Sequence, residues 1–332
     1  MRRLLAAATA ALSLAAATAV AASVAANAAT TTDVTTSVPT PTVALTPAKG
    51  QSAPAALTDT TAIPQVSAAA VAAKKHEAIP KDLQPSLPAL REDNKHVHYG
   101  LVNSCQPRFG SGVTSPICKL GDPSSSRTVV LFGDSHAQMW ASAMIPIAEA
   151  QHFALVVMAK PGCAVTAINT NTQAWPCKSW YDWALAQTRK LHPAVTIVSD
   201  LITNSTSTSG IAALVADLRE ELVAVPHGVL LADPPGQSQS VATCLSRPGA
   251  NLGTCSTTLS SSYVTLNQDL EALIRQTHRP VIPVEQWFCS DDICPSVVGN
   301  TAVMRDVNHM TPQYAASLEP VLAPEIARVL RG

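Results

Sequence analysis

TVVLFGDSHAQMW, residues 128–140, begins as an unbroken apolar run and turns polar at Gly133-Asp134-Ser135-His136. An apolar run without polar alternation predicts a strand buried on both faces. Its sequel, from about Ser135 to Gln151, reads as a helix with Trp140, Met144 and Ile147 on its inner face. The same alternation continues downstream. ALVVMA (154–159), AVTIVS (194–199), GVLLAD (228–233) and PVIPV (280–284) read as further strands. Helical patterns lie between and after them at 179–191, 210–225, 259–277 and about 311–330. Strand and helix in alternation predict an α/β class domain, a three-layer α/β/α stack around a parallel sheet. No internal repeat is visible.

Ligands of such sheets bind beyond the carboxyl ends of the strands, which directs attention to the residues just after TVVLF. Glycine permits a tight exit, and a serine at the helix start has its hydroxyl and N–H at the positive helix end. Ser135 is therefore either an acyl-transfer nucleophile or a plain helix cap. Far downstream, Asp306-Val307-Asn308-His309 sets a carboxylate three residues before an imidazole, a spacing that lets Asp306 orient His309 toward a hydroxyl. Taken singly, Asp306 also fits a capping carboxylate and His309 a polar packing residue.

The chain has 332 residues and a formal net charge of -1, which argues against a protein that coats nucleic acid. Residues 1–28 carry Arg2 and Arg3, an Ala/Leu run and the small residues Ala26-Asn27-Ala28, and read as a secretory signal peptide; a retained anchor is the alternative. Residues 29–90, rich in Ala, Thr and Pro, read as a disordered linker, leaving 91–332 as the catalytic domain. All eight cysteines lie in that last part, which fits an oxidising compartment. They fall into close sequential couples, predicting bridges Cys105–Cys118, Cys163–Cys177, Cys244–Cys255 and Cys289–Cys294 that pin loops. A closed loop of roughly 14 residues contributes on the order of 3 kcal/mol.

GDSH after the first strand and DxxH before the last helix together resemble the SGNH hydrolase superfamily, the GDSL esterases. VVLFGDSHAQMW, KPGC at 160–163, FCSDDICP at 288–295 and RDVNHMTPQYAASLEPVLAPEI look like the SGNH domain at the C-terminal end of many bacterial acyltransferase-three membrane proteins. The resemblance covers most of 100–332. It implies an SGNH fold and extracytoplasmic acyl chemistry, mostly of acetyl groups, on cell-surface carbohydrate. It further implies Ser135 as nucleophile, His309 as general base and acid, Asp306 as orienting carboxylate, and an oxyanion hole from the N–H groups of Ser135 and Gly162. The superfamily's Gly-x-Asn-Asp block is missing; Asp200-Leu201-Ile202-Thr203-Asn204 stands after the strand instead, with Asn204 as a substitute donor.

On this scheme the protein is a secreted, wall-associated O-acyl transferase or esterase that needs no cofactor, with an acylated or acyl-accepting glycan as partner and a separate membrane acyltransferase as acyl donor. A noncatalytic module that binds wall polysaccharide is the alternative, motivated by the missing block. Asp134 and His136 read as structural neighbours of the serine. His96 and His98, or Asp291-Asp292, lack the further ligands a metal site needs. The nucleophile elbow GxSxG, the Walker loop and GxGxxG are absent.

Overall fold

The computed structural model describes residues 62–93, 99–101, 103–202 and 208–331. Two helices, α1 (Ala62–Lys74) and α2 (Leu87–Asp93), come first. They are followed by β1 (Leu120–Gly121), β2 (Thr128–Gly133), α3 (Ser135–Met139), α4 (Ala141–Ala150), β3 (Ala154–Ala159) and α5 (Cys177–Lys190). The chain continues through β4 (Val195–Ser199), α6 (Thr208–Ala224), β5 (Gly228–Leu231), α7 (Val241–Leu245), α8 (Leu252–Cys255) and β6 (Thr257–Thr258). It closes with α9 (Ser261–Thr277), β7 (Val281–Ile282), α10 (Pro312–Ser317) and α11 (Glu319–Val329).

The main sheet has the order β1-β3-β2-β4-β5-β7, parallel except for β1, which runs antiparallel to β3. Every residue of β2, β3 and β4 is buried, so both faces of the sheet are covered, as their continuous apolar composition requires. α4 packs with α10 and α11, and α6 packs with α9, giving the expected α/β/α layering. Trp140, Trp180, Phe132, Phe153 and Tyr314 are among the largest fully buried side chains. The order of strands reverses around β2: the chain steps to β3 on one side, then crosses to β4 on the other. That reversal opens a crevice at the carboxyl ends of β2 and β4, where Gly133 lies level with Ser199.

The four bridges form as the spacing predicts, Cys105–Cys118, Cys163–Cys177, Cys244–Cys255 and Cys289–Cys294. The second ties the turn after β3 to the start of α5, and the third ties α7 to α8. Two long helices of the sequence reading are each broken. The segment 135–151 divides at Trp140, whose N–H reaches back three residues to Ala137 O at 3.2 Å rather than four. The segment 311–330 divides at Leu318, with Pro320 in the first turn of α11.

The expected linker over 29–90 needs correction, because its part from Ala62 onward is folded. In α1, Val66, Ala69, Ala70 and Ala73 recur at helical spacing and are buried. Ser67 Oγ lies 2.9 Å from Ser290 Oγ, and Gln84 N–H donates to Asn300 O at 2.7 Å while its carbonyl accepts from Ala302 N at 2.8 Å. Leu83 and Leu90 are also buried. Folded chain therefore begins by Ala62, not at 91; the signal at 1–28 lies outside the described residues. Leu90→Ala is expected to lower the unfolding free energy by about 2–5 kcal/mol in chemical denaturation, the range for a leucine lost from a packed core. A change within about 0.5 kcal/mol would put Leu90 back in a solvated linker.

Candidate active site

Gly133 ends β2 opposite Ala159 of β3 and Ser199 of β4. Its φ is 144°, and a Cβ there would stand 2.0 Å from Ser199 O, so only glycine fits. The next residue settles what Ser135 is doing locally. Asp134 is the N-cap of α3, its Oδ1 accepting the His136 N–H at 2.7 Å. The cap is thus taken by Asp134, and the half-buried Ser135 hydroxyl is left for another partner.

That partner arrives from the loop before α10. Asp306 Oδ1 accepts the N–H groups of Asn308 (2.9 Å) and His309 (2.7 Å), folding 306–309 into a tight turn. Its Oδ2 is 2.8 Å from His309 Nδ1, and His309 Nε2 is 2.9 Å from Ser135 Oγ. With Nδ1 against a carboxylate, Nδ1 carries the proton and Nε2 accepts from the hydroxyl, an assignment that follows from the partners. Thr311 caps α10 by accepting the Tyr314 N–H and donates to Ala302 O, which anchors the loop's exit. Arg305 N–H donates to His309 O at 2.9 Å and closes the loop. Burial pushes the Asp306 carboxyl up, but the His309 hydrogen bond and charge, the Asn308 N–H and Arg305 outweigh it, and the group is held well below the usual carboxylate range. The three residues expected from GDSH and DxxH are therefore in one hydrogen-bonded chain.

Gly162 sits in a turn just past β3. Pro161 and Gly162 occupy its middle positions, Gly162 at φ 78°, with Cys163 N–H donating to Lys160 O at 3.1 Å. Lys160 N–H in turn donates to Gly133 O at 3.0 Å, fastening this turn to the loop that carries Ser135. The buried Lys160 also donates through Nζ to Gly110 O and Gly112 O, both at 2.7 Å, holding the loop closed by Cys105–Cys118 against the same edge. Asn204, His96 and His98 lie outside the described residues. Asp291 pairs with Lys74 at 3.3 Å, and no group of metal-ligating side chains occurs among the described residues.

Sequence reasoning missed Asp233. It stands just past β5 and binds His136 Nδ1 with one carboxylate oxygen, while the other accepts the Ile202 N–H at 3.0 Å. The buried His136 thereby joins the serine's helix to the exit of β4, its ring centroid 5.0 Å from that of His309. Burial pulls the His136 imidazole down, but Asp233 and Asp134 push it up further. Asp200, just past β4, is pushed well above the carboxylate range by burial and by Glu221, itself raised by burial to about 7. The available signal was positional: Asp134, Asp200 and Asp233 all follow buried parallel strands at the same edge.

The model of the family described as SGNH domain (fused to AT3 domains) matches residues 89–324, well over half of the chain. Among solved structures, the periplasmic domain of a lipopolysaccharide acetyltransferase from Salmonella ser. Paratyphi A is similar at 13% identity and TM-score 0.49, covering 62% of this chain and 86% of that one. A carbohydrate acetylesterase from Sinorhizobium meliloti is similar at 15% identity and TM-score 0.42, covering 61% and 99%. Among curated proteins, none matches. With the family model spanning both the Ser135 loop and the Asp306–His309 loop, the chain belongs to the SGNH domain family of the kind fused to AT3 domains, and is an SGNH-type acyltransferase or esterase.

Proposed function

We propose that the protein transfers or removes an O-acyl group, in the first place acetyl, on cell-surface carbohydrate outside the cytoplasm, through an acyl-Ser135 intermediate. The observation that carries this reading is the Asp306–His309–Ser135 chain of hydrogen bonds at 2.8 and 2.9 Å. Ser135 Oγ attacks the acyl carbonyl as His309 Nε2 takes its proton, and Asp306 balances the imidazolium that forms. The N–H groups of Ser135 and Gly162 stabilise the tetrahedral oxyanion. Collapse breaks the bond to the donor oxygen, which leaves with the proton from His309. The acceptor hydroxyl then gives its proton to His309 and attacks the acyl-serine, and the bond to Ser135 Oγ breaks as His309 returns that proton to Oγ, releasing the new ester, or the free acid when the acceptor is water.

Four disulfides support an extracytoplasmic site of action. No described helix is long and apolar enough to cross a membrane. The family's fusion to AT3 domains supports a membrane acyltransferase as the source of the acyl group. The sequence resemblance supports wall or capsule glycan as the acceptor.

Diisopropyl fluorophosphate is expected to add one phosphoryl group to the wild-type protein, on Ser135, and none to Ser135→Ala. That variant should keep its melting temperature and lose all turnover of an acetyl ester, because the substitution opens no core cavity. Near-wild-type turnover by Ser135→Ala would sink the assignment.

A pH profile tests the relay separately. Since Asp306 is held below the usual range, it stays ionised across mildly acidic conditions and adds no limb of its own there, whereas a general base must be unprotonated to accept the serine proton. Turnover should fall toward acid along one limb. Asp306→Asn should slow the reaction by up to about 10⁴-fold, through the wrong tautomer and a less stabilised imidazolium. A profile flat from mildly acidic to mildly basic pH would remove His309 as the base.

A further inference from the structure

The helix that carries the nucleophile is too short to hold its own direction. α3 has 5 residues, little more than one turn, and a helix of that length has no stability alone, so contacts outside it set its rotation about its axis. That rotation decides where the Ser135 hydroxyl points. Asp134 fastens the start of α3 through the His136 N–H, and the helix breaks at Trp140. Between these ends the half-buried Ser135 is followed by the fully buried His136, so fixing one side chain fixes the other.

His136 is fixed from a distant part of the chain. Its Nδ1 meets Asp233 Oδ1 just past β5, and its Nε2 has no partner among the described residues, which leaves the Nδ1 bond as the ring's polar anchor there. With a carboxylate as partner, Nδ1 carries the proton. Asp233 is a firm anchor: it is buried, its Oδ2 accepts the Ile202 N–H at 3.0 Å, and its carbonyl accepts from the Tyr263 hydroxyl at 3.0 Å. The ring held in this way lies against the base, its centroid 5.0 Å from that of His309. One carboxylate thus bears on both ends of the 2.9 Å bond between Ser135 Oγ and His309 Nε2.

We infer that Asp233, acting through His136, is a positioning residue for acyl transfer: it sets the rotation of α3 and with it the alignment of Ser135 Oγ on His309 Nε2. The inference rests on the acyl chemistry proposed at Ser135 and extends it to a side chain 97 residues away from its partner in sequence.

The time course of phosphorylation by diisopropyl fluorophosphate, read by intact mass on the full-length oxidised protein, tests it. Its amplitude counts molecules with a competent site, and its rate constant reports the alignment within each. A purely structural loss lowers the amplitude and the melting temperature and leaves the rate constant alone. His136→Leu removes the donor, and Asp233→Asn leaves one acceptor for two N–H groups. Each should lower the rate constant, and kcat for an acetyl ester, by about 10- to 100-fold with KM within about 3-fold of wild type, since a misplacement of about 1 Å can cost about 10²-fold. His136→Asn puts an amide N–H near the place of Nδ1–H and should react about 5-fold or more faster than His136→Leu, the return of one hydrogen bond to a carboxylate. The His136→Leu, Asp233→Asn double variant should be no slower than the slower single, because both break one link. Wild-type rate constants in the folded single variants overturn the inference, as does His136→Asn no faster than His136→Leu. Should His136→Leu not fold, Asp233→Asn decides: a slowed rate constant at undiminished amplitude supports the inference, and a wild-type one overturns it. No phosphorylation of the wild-type protein removes the nucleophile and the inference together, whereas a labelled wild type with unslowed variants removes the inference alone.

Discussion

Position 133 admits no side chain, and the site is arranged around that constraint. The backbone there passes so close to the Ser199 carbonyl that the ends of β2 and β4 are locked level. From this point the chain has one short turn in which to enter α3. Asp134 takes the cap, Ser135 faces the crevice, and His136 points into the protein, where it is fully buried. Moving the glycine by one residue would exchange the serine's place with that of a buried neighbour. The same edge fixes the approach of the other half of the relay, because the loop before α10 is anchored on Ala302 and capped by Thr311.

Around that edge, similar carboxyl groups are held in different states by their surroundings. Asp306 spends one oxygen on two N–H groups and the other on His309, with Arg305 at 3.4 Å, and remains ionised. Asp233 pairs with the buried His136 ring. Burial pushes the Asp200 and Glu221 carboxyls above the usual range. This separation means that only one carboxylate is disposed to orient the base, although three aspartates stand at strand ends nearby.

What the sequence made legible was whatever lay within one short stretch. TVVLFG and ALVVMA become strands with the bounds expected, since an unbroken apolar run has few other uses between helices. GDSH and DxxH could be paired because each carries its chemistry in four residues. Asp233 could not be found in this way: its partner His136 lies 97 residues earlier, and in the sequence it reads as the polar end of GVLLAD. The helix α1 was missed for a different reason. Its buried face is mostly alanine, so the 3.6-residue period is present with little contrast against an alanine-rich background, and composition favoured a linker. The break at Trp140 depends on how that side chain packs, which local periodicity does not encode.

The choice between hydrolysis and transfer turns on which hydroxyl meets the acyl-serine. The relay is not sealed: the side chains of Asp306 and His309 are 20% and 19% exposed, so the described residues do not shield the site from water. Selectivity for a sugar cannot then come from dryness alone. It can come from position, because a hydroxyl held in a near-attack arrangement acts at an effective concentration that reaches about 10⁵–10⁸ M in favourable intramolecular cases, far above that of bulk water. Where no acceptor hydroxyl is so held, water is the acceptor; where one is, two outcomes compete at the same serine. Transferase and esterase behaviour are in that case not two designs of the active site but two occupancies of the space next to it.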